Sequence, residues 1–210
     1  MLLLLALSVQ AQIPAEVKDI LKKCNESSHQ SGHQGSGTLI DTNIHISALI
    51  ASMNGTMKTY RKGDKSLTIV KMKGMGQEAY TEKGFDGKTG WEYQKTSEEG
   101  ERDTLVIMNN AKPKKDKFDL GTGIESDYKK ASLKQTAKFY EIIFTNPKDK
   151  DMPKKTIMRI VKDTYRLHQI EAKISIATAK ITVTKITIGV NDNIFVFNPN
   201  KYPNAVVVRR

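Results

Sequence analysis

The sequence predicts a mainly β protein with a few helices, an α+β chain built on one large antiparallel sheet. Three observations predict it. Between residues 154 and 199, four runs rich in Ile, Val, Thr, Tyr and Phe (154–161, 164–177, 179–190 and 194–199) are parted only by short turns. β-Branched and aromatic residues suit a pleated, half-buried surface. Short connections join antiparallel neighbours, because a parallel return needs a crossover of about a dozen residues. Second, eight earlier runs have strand character and strand length, so the total is about eleven strands. Third, one stretch, 14–28, carries a helical period.

Length and composition bound the rest. A chain of 210 residues, 38% apolar and 27% charged, suits one domain with a sizeable core and excludes a disordered chain. The net charge of +11, from 34 Lys and Arg against 23 Asp and Glu, raises nucleic acid or an anionic membrane surface as partners. The lysines are strewn along the strands, where they first mark a solvated face and guarded edges. The densest cluster, Lys112, Lys114, Lys115 and Lys117, lacks the interleaved aromatics that stack bases, so no nucleic-acid partner is expected.

Residues 2–9 (LLLLALSV) form an apolar run too short to span a bilayer, which needs about 20 residues. With small residues up to Ala11, the run reads as the core of a secretory signal over 1–11, leaving 12–210 as a single domain. Cys24 is alone, so no internal disulfide forms, and it lies well past the cut where a lipid-anchored cysteine would stand. The expectation is a monomeric protein, exported and soluble.

In chain order, Pro14 opens the helix, and Val17, Ile20, Leu21 and Cys24 make one apolar stripe at i, i+3, i+4, i+7. Such a helix lies on a sheet face. His29 and His33 flank a Ser-Gly loop, which does not hold them in the helical geometry that binds zinc. Strands follow over 38–47, 53–61, 66–73, 77–83, 90–95 and 102–108. Asn54-Gly55, Gly74-Met75-Gly76 and Asp86-Gly87 are turn or bulge signals between or within them. Residues 109–123 break the rhythm with Pro113 and the basic cluster; strands resume over 128–135 and 137–145. In the last third, Ile170, Ala172, Ile174 and Ile176 share a face with Ile181 and Val183 if the turn keeps register, and the apolar phase switches at Ile186 and Ile188, the signature of a bulge or of a strand buried on both faces.

No catalytic constellation is present: no Gly-rich phosphate loop, G-x-S-x-G, H-E-x-x-H or C-x-x-C, and the four His are scattered. The expectation is no enzyme, no cofactor and no metal. What remains is apolar strand surface that one short helix cannot cover, with Met53, Met57, Met72, Met75 and Met158 as side chains that adapt to varied apolar shapes.

The segment 84–94 (GFDGKTGWEYQ), with its aromatic after an Asp-Gly turn, and the closing Phe195, Phe197 and Pro199 in IFVFNPNKYPNAVVV resemble the LolA-like family of outer-membrane lipoprotein carriers. The resemblance spans essentially the whole mature chain. It implies an open, incomplete antiparallel β-barrel of about eleven strands with helices over its concave face, and a periplasmic carrier that shields the acyl chains of lipoproteins. The alternative on the same scaffold is an envelope sensor that binds lipid or a protein partner without transport. Arg61 is the only early arginine to set beside the one that holds the lid in the carrier proper, and the match is loose. Alternation gives the expected cavity lining: Leu67, Ile69, Met72, Trp91, Tyr93, Tyr140, Ile142, Phe144, Ile170, Ile174, Ile181 and Val183. Val17, Ile20, Leu21 and Cys24 are the expected underside of the lid helix, and Phe195 and Phe197 the closure of the trough. Expected partners are lipoprotein acyl chains or other lipids, with transient contact to membrane proteins or an anionic membrane surface.

Overall fold

A computed structural model describes residues 13–30, 35–95, 101–109, 111 and 124–210, the side chains of 28–30 excepted. The expected signal segment, His29 and His33 as side chains, and the basic cluster at 112–117 lie outside the described residues.

Helix α1 (Ala15–Gln30) begins just after Pro14, as the fixed φ of proline favours. One sheet of twelve strands carries the rest. They are β1 (Thr38–Ser47), β2 (Ser52–Lys62), β3 (Lys65–Gly74), β4 (Gln77–Phe85), β5 (Thr89–Lys95), β6 (Thr104–Asn109), β7 (Tyr128–Gln135), β8 (Phe139–Pro147), β9 (Lys155–Val161), β10 (Leu167–Ile174), β11 (Ala177–Ile188) and β12 (Val206–Arg209). A four-residue helix α2 (Ile124–Asp127) precedes β7, and two 3-10 turns, Asp192–Phe195 and Pro199–Lys201, follow β11. The spatial order is β12-β6-β5-β4-β3-β2-β1-β11-β10-β9-β8-β7. The sheet is not closed: β12 and β7 are its two edges.

The mainly β, open antiparallel architecture expected from the sequence is the one observed, with two differences. The twelfth strand, β12, pairs with β6 in parallel, because it arrives from the far side of the 3-10 turns and not through a hairpin. The run at 194–199 is not a strand; Asn191 and Asn198 each accept a hydrogen bond from the backbone N–H two residues on, at 2.9 and 3.0 Å, and fold this run into turns. Asn54-Gly55 lies inside β2 with unbroken pairing on both sides.

Pairing registers decide which side chains share a face, since cross-strand partners point the same way. One continuous row runs Met72, Gly55, Ile44, Ile181, Ile170, Met158, Ile142 and Leu133 across eight strands. A second row, Ile107, Trp91, Gly84, Leu67, Tyr60 and Leu39, lies on the opposite face. Of the two readings of the apolar phase switch the bulge is the one present: between Asp41 and Thr42 on β1 the partner strand advances from Lys185 to Val183, while Ile176, expected on the inner face, falls in the exposed turn after β10. That step restores Val183 and Ile181 to the face of Ile44.

Helix α1 covers the first of these faces, the inner one. Val17, Ile20, Leu21 and Cys24 bury against Tyr128, Ile142, Phe144, Met158, Ile160 and Leu167. Each aliphatic side chain buried there contributes on the order of 2 kcal/mol. Cys24 is fully buried in this layer, and burial pushes its thiol from an ordinary 9.0 up to about 12. A thiol reagent at about pH 8 should therefore leave the native protein unmodified and label it only in denaturant. Rapid labelling under native conditions would show that α1 is not seated.

Candidate functional site

The inner face continues beyond the helix. Ile170 and Val183 pack against the α1 layer and extend it toward β1 and β2. There Thr42 and Met57 are buried, while Ile44, Ile46, Met53, Val70 and Met72 are only half-buried. Their strand neighbours on the other face, Asn43, His45, Asn54, Thr56 and Lys71, are exposed. This contrast marks the inner face as the sheltered one. The Thr42 hydroxyl donates to the Met57 carbonyl at 3.1 Å, so this buried polar side chain is satisfied. Ile44, Ile46, Met53 and Met72 belong to neither of the two buried clusters found among the described residues and stay half-exposed. Without bound matter there, that apolar surface costs free energy in proportion to its exposed area.

The outer face over β3–β6 has its own cover. Leu67, Trp91, Leu105 and Ile107 bury beneath Phe195 and Tyr202 from the C-terminal segment. The Trp91 and Phe197 rings lie 5.2 Å apart, and those of Tyr93 and Tyr202 4.6 Å apart, both within the range of favourable ring contact. The segment is pinned at its start by Asp192, which pairs with Lys62 at 2.6 Å and Lys65 at 3.0 Å. Those two lysines hold the Asp192 carboxyl below its ordinary value.

At the centre of this outer layer is the carboxylate of Glu82. It accepts hydrogen bonds from the Tyr80 hydroxyl at 2.9 Å, from Trp91 Nε1 at 3.2 Å, and from the Tyr202 hydroxyl. The Tyr93 hydroxyl donates to Asp103. Burial and then the bond to Asp103 push the Tyr93 phenol from 10.0 up to about 12, and burial and then the bond to Glu82 raise Tyr80 and Tyr202 as well. The folded state keeps these protons while the unfolded chain releases them near pH 10, and the Cys24 thiol does the same from about pH 9. Stability is therefore fully present below these unfolded values and is lost as pH rises through them. Urea midpoints measured from about pH 7 to 11 should be flat and then fall above about 9. A midpoint that climbs over that range contradicts the assignment.

The segment 84–94 owes its composition to this layer. The Asp86 carboxylate accepts from the backbone N–H groups of Lys88 and Thr89 at 2.9 and 2.7 Å, and Gly87 takes a left-handed φ of 102° to close the turn. Gly84 is required for contact rather than for conformation. A Cβ there would stand 2.0 Å from Trp91 Cζ2. Gly84→Ala should cost about 1–3 kcal/mol by overpacking, read as a lowered thermal midpoint.

The register divides the expected lining between the two faces. Met72, Tyr140, Ile142, Phe144, Ile170, Ile174, Ile181 and Val183 share the inner face; Ile142 and Phe144 are sealed under α1, and Ile174 is half-exposed at the end of β10. Leu67, Ile69, Trp91 and Tyr93 share the outer face under the C-terminal segment. Phe195 and Phe197 lie there too, so they do not close the inner trough. Alternation along single strands names faces but does not say which face of one strand matches which face of the next. Ile44, Ile46, Met53, Met57 and Val70 belong to the inner strip beyond the expected lining; the period-2 pattern Ile40-Thr42-Ile44-Ile46 is the sequence signal for the first strand of it.

No protein-family model matches the chain, and a search of curated proteins finds no match. Solved structures do resemble it. An uncharacterized conserved protein from Thermus thermophilus superposes with a TM-score of 0.55 at 11% identity, over 93% of this chain and 99% of that one. That likeness shows the fold. The lipoprotein LppX of Mycobacterium tuberculosis aligns at TM-score 0.45 and 9% identity, over 83% of this chain and 98% of that one. A LolA superfamily protein from Nitrosomonas europaea aligns at 0.38 and 12%, over 86% and 97%. No described helix is long and apolar enough to cross a membrane.

Proposed function

We propose that this protein is a LolA-like binding protein of the periplasm that holds the acyl chains of lipoproteins, or other lipids, on the inner face of its open sheet. One observation carries the reading: an apolar strip from Ile170 and Val183 through Ile181 and Ile44 to Met53 and Met72 adjoins the α1 layer and is left half-covered by the described elements. Each methylene moved from water into such a strip contributes roughly 0.8 kcal/mol, so about 12 methylenes give on the order of 10 kcal/mol before ordering costs. Methionines at 53, 57 and 72 suit chains of varied length and branching, because an unbranched thioether refits with little strain. The role is binding and release, with α1 as the element beside the strip. The chemistry of the strip is apolar contact, which serves uptake rather than bond cleavage.

The test compares neighbours on β1 that face opposite ways. Purified protein should raise the fluorescence of an apolar dye, and a lipopeptide should displace the dye. Ile44→Asp, on the inner strip, should weaken dye uptake by at least about tenfold. His45→Asp, exposed on the outer face, should leave it unchanged. Absence of dye binding together with no lipid adduct in native mass spectrometry would refute the reading. Recovery of an inner-membrane protein partner with no lipid would instead favour a sensor on this fold.

A further inference from the structure

Large apolar side chains stand in water at one end of the sheet. The turn between β1 and β2 exposes Leu49 by 83% and Ile50 by 99%; the turn between β3 and β4 exposes Met75 by 71%; the turn between β10 and β11 exposes Ile176 by 68%. The registers place all three turns side by side. Ser47 at the end of β1 pairs with Ser52 and with Thr178, Asn54 pairs with Lys73 near the β3–β4 turn, and Ile174 pairs with Ala177 across the β10–β11 turn. Six neighbouring strands therefore present three apolar tips along one rim. Exposed Leu and Ile at hairpin tips do nothing for packing, and contiguous exposed apolar surface marks a contact site.

The charges around the tips say what the contact is. Lys173 on β10 stands directly opposite Lys155 on β9, and Lys154 precedes it. Like charges in directly opposed strand positions are unfavourable in isolation. Lys71 lies exposed near the end of β3 on that same outer face. Glu78 neutralises Lys73 at 2.8 Å, and Asp149 and Asp151 offset two of the lysines at 148, 150 and 154, whereas Lys155 and Lys173 are exposed and pair with no acid among the described residues. Apolar tips ringed by lysines match the layered chemistry of a bilayer surface, with anionic headgroups outside and hydrocarbon beneath.

We propose that this rim docks on an anionic lipid bilayer, with Leu49, Ile50 and Ile176 entering the headgroup–acyl boundary and Lys155 and Lys173 lying against the headgroups. The proposal concerns a different surface from the inner strip and does not depend on lipid uptake. The experiment is co-sedimentation with protein-free vesicles. The protein should bind phosphatidylglycerol-containing vesicles in low salt, and phosphatidylcholine vesicles and high salt should release it. The triple variant Leu49→Ser, Ile50→Ser, Ile176→Ser should lose at least about tenfold in vesicle affinity. Lys155→Ser with Lys173→Ser should weaken binding and flatten the salt dependence. Both variants should keep the wild-type thermal midpoint and dye uptake, since these side chains belong to neither core. Failure of the wild type to bind anionic vesicles overturns the proposal. So does equal binding by the triple variant, or capture only by native membranes that protease treatment of those membranes abolishes.

Discussion

Replacing Phe144 with Ala should destabilise the protein by about 3–5 kcal/mol, the cost of emptying a fully enclosed aromatic site. Phe144 has no exposed surface. It packs in the layer between α1 and strands β7–β10, and the Tyr128 ring lies 5.6 Å from its own. Tyr128 is itself held in place by its hydroxyl, which donates to the Pro153 carbonyl at 2.9 Å and lies 2.7 Å from the Thr156 hydroxyl. Anchored neighbours collapse poorly into a cavity, which favours the upper part of that range. The measurement is urea unfolding followed by far-ultraviolet circular dichroism. The same variant should expose Cys24 to thiol reagents, because α1 loses the surface it sits on. A loss under about 1 kcal/mol would mean that the helix is not packed on this layer.

Replacing Glu82 with Ala should act on the other side of the sheet. Three donors, on Tyr80, Trp91 and Tyr202, would lose their common acceptor. A buried donor left without a partner costs about 1–3 kcal/mol, so the change should cost several kcal/mol in all. Its first consequence is local. Tyr202 tethers the C-terminal segment to β4, so its release should loosen residues 191–205 and lead to early proteolytic cleavage there. Strand β12, which reaches β6 only through that segment, should exchange its amide hydrogens faster. Dye uptake by the inner strip should survive. The Phe144 and Glu82 effects should be close to additive, because the two layers share no buried residue and lie on opposite faces. Strong coupling between them would contradict the two-sided arrangement.

Much of this structure was legible along the chain. Residues 14–24 carry a helical period and 38–47 a period of two, and both elements formed where those periods lie. The phase switch at Ile186 announced the bulge opposite Asp41 and Thr42. The apolar character of Trp91, Tyr93, Phe195 and Phe197 was equally plain, but its use was not. A strand's alternation is the same whichever of its faces is turned inward. Only the pairing of Trp91 through Gly84 with Leu67, two strands away, and Tyr60, three away, put Trp91 on the face opposite Met72 and Ile44. The closing aromatics read as strand and folded as 3-10 turns because Asn191 and Asn198 offered their side chains to the backbone.

The sequence alone determined the class of fold, the position of the helix, the lengths of most strands and the excess of apolar strand surface over what one helix can hide. These are local properties, fixed by periodicity and turn chemistry within a few residues. The tertiary structure decided which apolar rows belong together, that the helix and the C-terminal segment cover opposite faces, and that three hairpin tips align on one rim beside opposed lysines. Those are properties of register, set by hydrogen bonds between segments as far apart as Ile44 and Ile181, and a one-residue shift would reverse every face.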